Sequence, residues 1–142
     1  MYVKQLFLIT LLAFVVLRPV ASVSLEQMEK MAMNLRKSCL KKIDTTEALV
    51  DGFRRGEFPD DYNLMCYTTC IMKLLRTFKN EKMDFDMMIK QVELSMPPEN
   101  LPSVIDAINK CRHVEYTGDE CQKTYQFVQC YYKQDPTYFA FP

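Results

Sequence analysis

Cys39, Cys66, Cys70, Cys111, Cys121 and Cys130 carry the reactive chemistry of this chain, with gaps of 26, 3, 40, 9 and 8 residues between them. Thiols can attack a substrate, hold a metal or pair as disulfides. Attack needs a base and metal binding needs partners, yet His113 is the single histidine. Cys66-x3-Cys70 is not a zinc-ribbon spacing, and the His-Asp pair beside cysteines that a secreted phospholipase needs is missing. Asp60-Asp61 and Asp119-Glu120 fall at predicted helix starts, where capping and the helix dipole account for them. No enzymatic activity, metal or cofactor is therefore expected. Pairing remains, and an even cysteine count in a short secreted chain reads as a disulfide framework.

Secretion is read from the N-terminus. Lys4 precedes an almost unbroken apolar run from Leu6 to Leu17, and Val20-Ala21-Ser22 offers small residues for cleavage. The run is shorter than the roughly 20 residues of a membrane span, and no later segment approaches that length. Residues 1–22 are read as a signal peptide and 23–142 as one domain. The signal holds Lys4 and Arg18 and no acid, so the remainder has 16 basic and 18 acidic residues, a net charge of −2. The charges are interspersed, which argues against a nucleic-acid partner, and the lack of a later apolar run of spanning length argues against membrane insertion.

The elements that must hold the cysteines are helical throughout. Leu25, Met28, Met31/Ala32, Leu35 and Cys39 recur at helical steps, and Ser24 with Gln27 makes a capping box. A short second helix starts near Thr45–Thr46 and stops at Gly56. Phe58-Pro59-Asp60-Asp61 is a turn whose aspartates cap a third helix, expected to run to about Phe78. Asp84 caps a fourth, ended by Pro97-Pro98. A fifth covers roughly Glu99–His113 and a sixth about Asp119–Lys133, broken at Asp135-Pro136. No strand is expected. His113 near a helix end is read chiefly as a surface residue; its reference pKa also suits a pH sensor.

Helix geometry limits the fifteen pairings that six cysteines allow. Cys66 and Cys70 lie four apart on one helix, about 5–6 Å between Cβ atoms, where a disulfide wants roughly 3.5–4.5 Å. Cys121 and Cys130 lie about 13.5 Å apart along another helix. Each exclusion removes three pairings and one is shared, so ten remain. Nine residues turn a helix through about 900°, placing Cys121 and Cys130 on opposite faces. The last helix must then be bridged to different neighbours on its two sides.

The cysteine spacing closely resembles that of the insect odorant-binding protein family, whose x3 and x8 gaps are its most fixed features. The local text is also similar: Gly56-Glu57-Phe58-Pro59-Asp60-Asp61, Leu64-Met65-Cys66-Tyr67-Thr68-Thr69-Cys70, and Cys130-Tyr131-Tyr132-Lys133-Gln134-Asp135-Pro136. The resemblance covers essentially the whole of 23–142. It implies the pairs Cys39–Cys70, Cys66–Cys121 and Cys111–Cys130, one of the ten sets left open. The implied fold class is all-α, a compact bundle of about six helices locked by three interlocked disulfides around an apolar cavity.

The residues themselves offer apolar stripes for such an interior. Phe85, Met88, Ile89 and Val92 share one helix face, Val104, Ala107 and Ile108 another. Tyr125, Val128 and Tyr132 share the Cys121 side of the last helix, with Tyr131 at its flank. For any one of these, plain core is the simpler reading. Three staples on a 120-residue domain tip the balance toward a cavity of about 300–1,000 Å³, whose lost packing bridges can offset. From the family, the wall is implied to include Val128 and Tyr131 beside the last cysteine and Val104, Ile105, Ala107 and Ile108 before the fourth. The chain end, with Tyr138, Phe139 and Phe141, is implied to fold over the pocket. Met88, Ile89 and Val92 complete the candidate ligand set.

The expected function is a secreted carrier of small hydrophobic volatile ligands, odorants or pheromones, delivering them through sensillum lymph to an olfactory receptor as a monomer or weak homodimer. The rival readings are a carrier or scavenger in saliva, haemolymph or reproductive fluid, and a helical signalling protein without a cavity.

Overall fold

A computed structural model describes residues 24–142; the segment read as a signal peptide lies outside them. Five of the six helices begin where a short polar side chain satisfies their free amides; the fifth in chain order has no such cap and starts with Pro102 in its first turn. The Ser24 hydroxyl accepts the Gln27 amide at 3.2 Å while the Gln27 side chain takes the Ser24 amide, opening α1 (Leu25–Leu40). Thr46 caps α2 (Glu47–Gly52), which tightens into a 3₁₀ turn at Phe53–Arg55. Asp61 caps α3 (Tyr62–Leu74) and Asp84 caps α4 (Phe85–Ser95). Then follow α5 (Leu101–Arg112) and α6 (Glu120–Gln134), the latter capped by Asp119 and Gln122. The described residues thus form six α-helices, and none of these is long and apolar enough to cross a membrane.

Gly56 stops the second element for two reasons. Its φ of +73° is left-handed, a region costly for a residue with a Cβ. An added Cβ would also come within 2.6 Å of the Tyr132 ring. The turn after α2 is thereby held against α6.

Two expectations need correction. The third helix ends at Leu74 rather than near Phe78, because Arg76 takes φ +60° and the Thr77 amide turns back onto the Met72 carbonyl at 2.9 Å. The chain then forms a short antiparallel hairpin, β1 (Phe78–Lys79) with β2 (Lys82–Met83), where no strand was expected. Asn80 and Glu81 at its tip have φ +51° and +59°, the signs of the tight turn that suits a two-residue hairpin. Of the Met31/Ala32 pair on the predicted stripe of α1, Ala32 is the half-buried member and Met31 is 54% exposed. Toward its C-terminal end α1 meets the core through Leu35, Cys39 and Leu40.

The disulfides join Cys39–Cys70, Cys66–Cys121 and Cys111–Cys130. They link α1 to α3, α3 to α6 and α5 to α6, so α6 is stapled on both sides to different neighbours. Beside Cys66–Cys121, where the Cα atoms stand 4.4 Å apart, three buried hydroxyls fill the α3–α6 seam. Thr124 Oγ1 lies 2.8 Å from Thr68 Oγ1 and 2.7 Å from Thr69 Oγ1. Each also reaches a main-chain carbonyl, Met65 for Thr68 and Glu120 for Thr69 and Thr124. Small side chains permit the close approach, and full pairing keeps the buried hydroxyls from being a cost.

Candidate functional site

The bridged helices enclose one apolar cluster, and most of the predicted wall lies in it. Met88, Val104, Ala107, Ile108, Val128, Tyr131 and Phe141 are buried there, with Ile89, Val92 and Phe139 partly buried against it. On α5 the buried positions Val104, Ala107, Ile108 and Cys111 follow the i, i+3, i+4, i+7 spacing of one helix face. Ile105 sits one step off that face and is half-buried. The walls close on one another: Val104 and Val128 have no exposed surface at all.

Tyr138 departs from the set, at 39% exposure. The Asp135 carboxylate accepts hydrogen bonds from the Ser103 hydroxyl at 2.7 Å and the Tyr138 amide at 3.1 Å. From that turn the burial alternates: Tyr138 and Ala140 face out, Phe139 and Phe141 face in. An extended chain sends successive side chains to opposite sides, so adjacent Tyr138 and Phe139 cannot both point inward.

The inward pair closes the bundle. Phe139 packs between Tyr131 at 5.3 Å and Tyr132 at 5.2 Å, ring centre to ring centre. Phe141 stands edge-on to Phe53 at 5.9 Å. The buried Tyr67 hydroxyl donates to the Pro142 main-chain oxygen at 2.8 Å and pins the end. Deeper in, Tyr131 stacks on Phe127 at 6.1 Å, and Phe127 meets Phe85 at 5.9 Å.

Phe53, Tyr67 and Phe127 were not in the predicted set. Phe127 lies off the Cys121 face of α6, and its burial follows from α6 being covered on two sides. Tyr67 directly follows Cys66, so the staple that holds α3 against α6 also draws it inward.

The buried phenols of Tyr67, Tyr116, Tyr125 and Tyr131 remain protonated at neutral pH. Burial pushes the Tyr131 phenol up to about 12, with the nearby Asp135 charge adding to the effect. Burial alone moves Tyr116 up to about 12 and raises Tyr67 and Tyr125 as well. The Tyr67, Tyr116 and Tyr125 hydroxyls donate hydrogen bonds to the main-chain oxygens of Pro142, Cys111 and Pro59. Among the described residues Tyr131 donates to no such oxygen; its hydroxyl meets the Ala140 main-chain amide of the tail.

Two surface clefts among the described residues stand out, and both are open to solvent. One, of 440 Å³, lies between the hairpin and the ends of α4 and α5, lined by Lys79, Lys82, Phe85 and Arg112 among others. The second, of 210 Å³, lies between the Phe58–Asp60 turn and α6. Neither is walled by the predicted ligand set.

Comparison with known proteins gives a consistent picture. A family model described as the PBP/GOBP family matches residues 21–134. General odorant-binding protein 72 of Anopheles gambiae is 27% identical over 122 residues, spanning 85% of this chain and 100% of that one. The solved structure of Apis mellifera odorant binding protein 5 is 64% identical, with a TM-score of 0.83 over 85% of this chain and 99% of the other. Odorant binding protein 4 of Chrysopa pallens is 33% identical, with a TM-score of 0.73 over 82% of this chain and 97% of its own.

Proposed function

Because the chain belongs to the PBP/GOBP family, we propose that it is a secreted, non-covalent carrier of small hydrophobic molecules of the odorant or pheromone type. Family and fold support a small-ligand carrier role. The observation that carries the finer reading is the aromatic and methionine interior inside a disulfide frame, closed at one end by Phe139 and Phe141. Val104, Ala107, Ile108, Val128 and Tyr131 form the lasting wall of the ligand site, with Met88, Ile89 and Val92 on its α4 side. Ile105 and Tyr138 fit this role less well than the rest, standing at the flank and the surface.

A ligand gains room when side chains shift. Met88 supplies part of that freedom, since an unbranched thioether repacks at low cost. The tail supplies the rest, because five extended residues move without breaking a helix. The three bridges keep the helices in place meanwhile. Tyr131 gives an alcohol, aldehyde or ester one hydrogen bond, while apolar contact supplies most of the affinity. In this reading residues 1–22 direct secretion, and the carrier takes its cargo through sensillum lymph toward an olfactory receptor.

The test is uptake of the neutral fluorescent probe phenyl-naphthylamine by the oxidised, folded protein. Saturable binding with a Kd of about 1–10 μM, or about −7 to −8 kcal/mol, is expected, with displacement by volatile alcohols and esters. Absence of uptake by protein of native helical content and intact disulfides would contradict the carrier reading.

A further inference from the structure

The carrier reading leaves the 440 Å³ cleft between the hairpin and the ends of α4 and α5 without a role. Its mouth is built from an unfavourable pair. Lys79 and Lys82 face each other directly across the two strands, and both are exposed. Like charges placed opposite each other destabilise a strand pair. Neither lysine forms an ion pair among the described residues.

Arg112 provides a third cation. Its guanidinium stands 5.5 Å from the Phe85 ring centre, and Nη2 donates to Asp86 at 2.9 Å. Its buried Nε has no acceptor among the described residues. The two acids at the cleft are already engaged. Asp86 holds Arg112, and Asp84 accepts the Met87 amide at 2.9 Å as the cap of α4. Met83 and Phe85 supply an apolar floor.

Cations around an apolar floor, in a volume within the usual small-molecule range, describe an amphiphilic anion. We propose that this cleft is a second binding site, distinct from the apolar interior, for small organic anions of the alkyl or aryl carboxylate class. The acid group sits between Lys79 and Lys82 and relieves their mutual repulsion. The apolar body lies over Met83 and Phe85. The proposal does not rest on the interior holding a ligand.

Two probes with the same aromatic body separate the sites. Anilinonaphthalene sulfonate is an anion, and phenyl-naphthylamine is neutral. Changing Lys79→Glu together with Lys82→Glu keeps a like-charged pair across the hairpin, so the ladder is no worse matched than before. The double variant is expected to bind the sulfonate about tenfold more weakly, two contacts of modest strength being reversed. Neutral-probe binding is expected to stay within about twofold, and octanoate should displace the sulfonate from the native chain far better than octanol does. Sulfonate affinity unchanged within about twofold in the variant overturns the proposal. So does full displacement of the sulfonate by saturating neutral probe, which would put both in the interior.

Discussion

Replacing Cys66 and Cys121 together by alanine lowers the unfolding free energy by about 4 kcal/mol. The bridge closes a segment with a sequence separation of 55, against 31 for Cys39–Cys70 and 19 for Cys111–Cys130. The longest loop restricts the unfolded chain most, since closure entropy grows with the logarithm of length. The paired change is needed because a single replacement leaves a thiol free to exchange with the other bridges. A domain of this size holds about 5–15 kcal/mol in total, so the melting temperature should fall by roughly 15 °C. The threonine seam at Thr68, Thr69 and Thr124 still joins α3 to α6 in this variant, so native helical content should survive at room temperature. Thermal denaturation followed by circular dichroism checks both statements, and a loss below about 1 kcal/mol would show that the bridge is not part of the frame.

Ending the chain at Thr137 weakens neutral-probe binding about tenfold, equivalent to about 1.4 kcal/mol, and costs about 2 kcal/mol of stability. Two terms set the second figure. Phe139 and Phe141 lose their apolar burial, and the Tyr67 hydroxyl loses its acceptor on Pro142, which leaves a buried donor unpaired. Against these stands the entropy regained by not ordering five residues, which removes most of the gross loss. The alternation along the tail sharpens the expectation. Phe139→Ser with Phe141→Ser should reproduce the loss of probe affinity at full length. Tyr138→Ser should leave affinity within about twofold, because that side chain faces solvent. Probe titration and denaturation of the three variants give the result directly; equal losses for Tyr138→Ser and the double change would contradict the tail's placement.

What the sequence makes legible is local. Capping at Ser24, Asp61, Asp84 and Asp119 and the stop at Gly56 depend on a few neighbouring residues, and the structure places all of them as expected. The opposite faces of Cys121 and Cys130 follow from helical periodicity alone. Choosing one pairing from ten does not, and it came from the family resemblance. The hairpin was missed because two-residue strands are too short to show alternation. Its turn carries Asn80, a usual residue for that position, beside Glu81, which is not. Its position is held by Phe78, buried at 3% exposure, and no local rule gives that burial. Tyr138 was grouped with Phe139 and Phe141 because aromatic type was read without the period of an extended chain. Arg112 meets Asp86 across 26 residues of sequence, so the charged cleft becomes visible only once α4 and α5 are packed together.

The central claim is that small apolar molecules enter the interior bounded by α4, α5, α6 and the tail. Methyl-resolved NMR of the oxidised protein, with labelled Ile, Val and Met, tests it most directly. On titration with phenyl-naphthylamine the account predicts shifts concentrated at Met88, Val104, Ile108 and Val128, with Met31, Met33 and Val114 at the surface unmoved. Shifts confined to those exposed methyls, with the interior set unchanged at saturating probe, would contradict it.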